Sequence, residues 1–166
     1  MRSISKLLLP TGLAAGACIA TPAMAQTAGP STMSISAEVV ASCSIDQVGA
    51  ISLTGLTGAS AGTGTADIDV TCTNGTGYDV LIDNGANYAN GTRNLLGDDT
   101  GEALPYGLYT ASDYATAWPT VAGGTAAYTG TGDSETHTVY LEIPTASLQA
   151  AKADSYTDTV NVTVEY

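Results

Sequence analysis

The segment Tyr156-Thr157-Asp158-Thr159-Val160-Asn161-Val162-Thr163-Val164-Glu165-Tyr166 carries the clearest periodic signal in the chain. Tyr156, Val160, Val162, Val164 and Tyr166 fall on one side, with Thr157, Thr159, Asn161, Thr163 and Glu165 on the other. A period of two sends alternate side chains to opposite faces, so the run predicts a strand with one buried and one wet face. The pattern recurs upstream. Val139, Leu141 and Ile143 alternate with Thr138, Tyr140 and Glu142. Tyr78, Val80 and Ile82 alternate with Asp79 and Asp83, although Leu81 interrupts the polar face. Ile68 and Val70 alternate with Asp67, Asp69 and Thr71. Further back, Met33, Ile35, Ala37, Val39, Ala41, Cys43 and Ile45 share one face, opposite positions that are mostly Ser or Glu.

Strands with one apolar face belong to antiparallel sheets stacked face to face. Turn signals separate the runs at Asn74-Gly75, Asn84-Gly85, Asn90-Gly91, Gly123-Gly124 and Thr131-Gly132-Asp133. Helical periodicity is confined to Ala146–Ala153, enough for a turn or two. The expected fold is all-β, a single immunoglobulin-like β-sandwich.

The start of the chain reads as an address. Arg2 and Lys6 precede an apolar run from Leu7 to Ala20, and Ala23-Met24-Ala25 closes it. That is the pattern of a secretory signal peptide, residues 1–25, cleaved after Ala25. A lipid anchor at Cys18 is the rival reading, but Ala15 stands where such sites usually carry leucine. The run is too short and interrupted to span a membrane. Export leaves about 140 residues, enough for one modest core. It also leaves Arg93 and Lys152 against 16 acidic residues, a charge of about −14. Such a surface repels nucleic acid and anionic lipid, so neither is an expected partner.

Cys43 and Cys72 remain after cleavage, in a chain bound for an oxidising compartment, so one disulfide is the default. A metal or redox pair would want closer spacing or histidine help, and His137 is the only histidine. His137 sits inside a strand pattern and reads as an ordinary strand side chain. No nucleophile elbow, phosphate-binding glycine loop or acid–base pair is evident, so no enzyme and no cofactor are expected. Calcium is the remaining chemical candidate, at Asp98-Asp99-Thr100-Gly101-Glu102 or at Asp67 and Asp69. Neither matches the twelve-residue calcium loop, and alternate acids on a strand commonly form a solvated face.

Three stretches resemble the spore coat protein U family, which includes major pilins of archaic chaperone–usher fibres. They are Ala66–Thr73 followed by Tyr78–Gly85; Arg93–Leu96 with Leu104–Tyr109 and Trp118; and Asp154–Tyr166. Pro119, Leu141 and Asp154 stand where the family pattern carries glycine. The resemblance implies a sandwich lacking its last strand, completed by donor-strand exchange. A periplasmic chaperone fills the groove first. At the outer-membrane usher, the N-terminal segment of the next subunit replaces it, giving a homopolymeric adhesive fibre at the cell surface.

On that reading residues 26–39 are leader and donor strand, with Met33, Ile35, Ala37 and Val39 as the inserted face. Residues 40–166 are the pilin domain. Val160, Val162, Val164 and Tyr166 lie on the strand lining the groove and meeting the chaperone, and Cys43–Cys72 ties the first strand to the second. Two alternatives stand beside it. Met33–Val39 could be the first strand of a self-sufficient sandwich, making the protein a secreted acidic binding module for calcium or carbohydrate. The fold could also serve a spore or cell coat without chaperone–usher assembly.

Overall fold

The computed structural model describes residues 24–166. The signal-peptide expectation therefore falls, apart from Met24 and Ala25, outside the described residues. In chain order the strands are β1 (Cys43–Val48), β2 (Gly62–Cys72), β3 (Gly77–Ile82), β4 (Arg93–Gly97), β5 (Ala103–Tyr109), β6 (Ala127–Thr129) and β7 (Ser134–Ile143). A short helix α1 (Thr145–Ala150) comes next, then β8 (Tyr156–Thr157) and β9 (Val162–Glu165). One sheet has the order β1-β2-β7-β5-β4-β8 and the other β6-β3-β9. Glu38–Tyr166 form one compact unit.

The alternating runs become the two inner faces. Ile68 and Val70 from β2, and Val139, Leu141 and Ile143 from β7, face Tyr78, Val80 and Ile82 from β3. Each is buried because its neighbour in sequence points the other way. Opposite Leu141 and Ile143 the chain places Gly64 and Gly62. A Cβ at Gly64 would collide with Ile51 and Leu53, so the missing side chain admits these two residues over the end of the core. Trp118 links the sheets: its Nε1 donates to the Val80 carbonyl (3.0 Å), and its backbone N–H donates to Leu108 (2.9 Å). On the outer face Thr136 and Thr138 donate to Asp69 and Asp67, each at 2.7 Å.

His137 lies in β7 as the periodicity implies, but it is buried. Its Nε2 is 2.8 Å from the Tyr78 hydroxyl, and its ring stacks on Tyr128 at 3.9 Å between centroids. Because Tyr78 and Tyr128 belong to the other sheet, the imidazole is a polar link between the layers. Burial lowers its proton affinity, against the pull of Glu135 and Asp69.

The terminal run departs from a single strand. Tyr156 and Thr157 pair with β4 in one sheet, while Val162–Glu165 pair with β3 in the other. Val160 and Tyr166 flank β9 rather than lying in it. The cause is a polar latch between the two pieces. Asp83 Oδ1 accepts from the Asn161 backbone (2.9 Å) and Oδ2 from its side chain (2.7 Å). Burial raises the Asp83 carboxyl, but these bonds, with Gly85 and Arg93, outweigh it and hold it below the usual carboxylate range. Asp158 accepts from Tyr106 Oη (2.7 Å) and Asn87 (3.1 Å). Gly85, at φ 83°, is required here, because a Cβ would collide with the Asp158 carboxylate. The valines keep the parity of Tyr156 across the crossing, and its one mark in the sequence is Asp158, an acid on the apolar side.

Candidate strand-acceptor groove

β1 and β9 are each terminal in their sheets, so each has one edge with no ladder partner among the described residues. They lie close to one another along the side of the sandwich. Such edges bind another strand unless covered.

The side chains along this seam face the core yet are not covered. Residues directly opposite on antiparallel strands share a face. Ile45 pairs with Val70 and Val48 with Ile68, whose exposures are 0% and 1%. Ile45 itself is 38% exposed and Val48 51%. Across the seam Val162 pairs with Ile82 and Val164 with Val80; the β3 partners are buried and the β9 valines only half so. Val160 is likewise half-buried against the core, and Tyr166 is exposed. The apolar layer is thus continuous to the seam, where Ile45 and Val48 remain exposed among the described residues.

Val48 was not legible as a groove residue, because strict alternation from Cys43 would turn Gln47 inward and Val48 outward. The register shifts between Ile45 and Gln47, so Asp46 is an extra residue and Val48 returns to the inner face. The available signal was the spacing of Ile45 and Val48, three apart within a strand-forming stretch. The Cys43–Cys72 disulfide closes one end of β1 onto β2, as the cysteine count indicated.

Met33, Ile35 and Val39 are exposed, and residues 24–42 carry neither helix nor strand. The candidate calcium acids do not converge on a cavity: Asp67 and Asp69 accept threonine hydroxyls, and the Asp98–Glu102 turn wraps Asp154. The Asp154 carboxylate accepts from the Thr100 backbone (2.8 Å) and hydroxyl (2.7 Å). Among the described residues, no group of three or more His, Cys, Asp and Glu side chains is placed to hold a metal ion. No helix among them is long and apolar enough to cross a membrane.

The two-sheet antiparallel sandwich can be set beside known proteins. The Spore Coat Protein U domain model matches residues 30–163. The chain belongs to the Spore Coat Protein U domain family. A solved structure similar to this family member is a chain of the CsuC–CsuE chaperone–tip adhesion subunit pre-assembly complex, from the archaic chaperone–usher Csu pili of Acinetobacter baumannii. The TM-score is 0.55 at 19% identity, covering 77% of this chain and 40% of that one. A second is a chaperone–tip adhesin complex of CFA/I fimbriae biogenesis, with TM-score 0.41 and 15% identity, covering 75% and 41% of the two chains. The Spore Coat Protein U domain chain thus spans under half the length of either solved chain. At such identities the first likeness bears on the fold alone, and the second carries no weight. No curated protein matches the chain.

Proposed function

We propose that this Spore Coat Protein U domain protein is a structural subunit of an exported surface fibre, polymerised by donor-strand exchange. The observation that carries the reading is the seam. Core-facing Ile45 and Val48 remain exposed beside two unpaired strand edges, where one further strand would bury them. The segment Ser31–Val39 is a matching donor, with Met33, Ile35, Ala37 and Val39 on one face of an extended chain. It adds to the free edges by main-chain hydrogen bonds while its alternate side chains complete the core.

A periplasmic chaperone covers the groove before assembly, and an outer-membrane usher exchanges it for a second copy's segment. The family membership and the chaperone–subunit complex among the similar structures support these partners. The candidate calcium acids are engaged by threonine hydroxyls and backbone N–H groups within the fold, which favours a building block over a calcium module.

The test is a detergent gel of protein produced with chaperone and usher, comparing the native chain with one lacking Gln26–Val39. A ladder that survives mild detergent, collapses on boiling and vanishes with the truncation is expected. A native chain running only as monomer would overturn the reading.

A further inference from the structure

Asp46 occupies the bulge of β1, and its carboxylate reaches three strands. It accepts from Thr71 Oγ1 of β2 at 2.5 Å, Ser44 Oγ of β1 at 3.0 Å and Ser134 Oγ of β7 at 3.2 Å. Bonds from Thr71 and then Ser44 hold the carboxyl below its usual range, so it is ionised, and a full acceptor, at neutral pH. A bulge adds one residue to one strand and rotates the residues beyond it. Here the rotation brings Val48 opposite Ile68, on the inner face, where a regular strand would present Gln47. The groove wall therefore reads Ile45 then Val48, apolar throughout, instead of Ile45 then Gln47.

We infer that Asp46 is a positioning residue for strand acceptance: it pins the bulge that aims Val48 at the incoming strand of a second copy. The inference rests on the strand-exchange reading and adds to it a residue that never touches the donor. Thr71 and Ser134 are its anchors. Without them the bulge is free to relax, and a one-residue slip carries side chains to the opposite face.

The experiment uses the chain lacking residues 1–39, refolded with a synthetic peptide of Ser31–Val40, and measures the half-time of peptide release. Four forms are compared: unmodified, Asp46→Ala, Val48→Ala, and the double variant. If Asp46 acts by aiming Val48, each single change shortens the half-time about tenfold, and the double variant falls little further. A double variant that loses the product of the two effects, or an Asp46→Ala form that releases as slowly as the unmodified chain, overturns the pin. An unmodified chain that takes no peptide overturns the groove reading and the pin with it. Should Asp46→Ala fail to fold, Thr71→Ala/Ser134→Ala removes the anchors instead and is held to the same pattern.

Discussion

Replacing Ile35 with Asp is expected to abolish fibres while leaving the subunit folded and soluble with its chaperone. Ile35 is 86% exposed and precedes the compact unit Glu38–Tyr166, so the substitution leaves every side chain of that unit's core in place. The cost falls on the neighbour. About nine extended residues span roughly 30 Å. Burying Met33, Ile35 and Val39 contributes roughly 1.5–3 kcal/mol each, before ladder hydrogen bonds. Asp at position 35 loses one of these contributions and brings a carboxylate against valines and isoleucine, with no cation among the seam residues. An unpaired carboxylate in an apolar site costs several kcal/mol more, enough to cancel the remaining gain. Electron microscopy of cells making the variant checks the result: bare surfaces are expected, with soluble subunit recovered on its chaperone. Normal fibres would remove Ile35 from the donor face.

The second large effect is predicted for the disulfide. Cys43 and Cys72 are 29 residues apart, and cross-linking a loop of that size stabilises by roughly 3–4 kcal/mol in the chain-entropy model. The local setting points the same way. Among the described residues β1 has one ladder neighbour, β2, and its inward residues Ile45 and Val48 are too exposed to hold it by burial. Cys43 stands at the first residue of β1, where fraying would begin. The Cys43→Ser/Cys72→Ser chain is therefore expected to unfold at a urea midpoint lower by roughly 1–3 M. With β1 loosened, one wall of the groove goes as well, so the same variant should bind donor peptide poorly. An unchanged midpoint would mean that β1 is held by contacts other than the cross-link.

The central strands were legible because each has a buried and a wet face, and burial on one side writes alternation into the sequence. Ile68 and Val70, Tyr78, Val80 and Ile82, and Val139, Leu141 and Ile143 obey that rule, and all line the core. Leu81, which breaks the pattern, is buried on the other side of β3. The alternation failed wherever the backbone changes sheet or register without changing parity. Tyr156 to Val164 keeps one inner face while passing from β4 to β3, because the turn is fixed by Asp83, which looks like any other wet-face residue, and by Asp158, a lone acid on the apolar side of the run. At β1 the reverse happens: the bulge at Asp46 changes parity, and Val48 turns inward against the pattern. The role of His137 was hidden too. Its strand placement is a consequence of periodicity, but its contact with Tyr78 joins residues 59 apart in sequence. Met33 to Ala41 alternates as clearly as any strand yet forms none in the single chain, which fits a segment whose sheet belongs to a second copy.

Polymerisation by strand exchange requires an apolar seam that a strand from another copy fills. The most direct measurement is the thermal melting of the chain lacking residues 1–39, alone and with a synthetic peptide of Ser31–Val40. If the seam is a vacant strand site, the peptide binds only the folded form and raises the melting temperature with concentration, as linkage requires. A peptide with Ile35 replaced by Asp should leave it unchanged. A truncated chain that melts at the same temperature with and without the native peptide would contradict strand exchange, because the sandwich would then be complete without a donor.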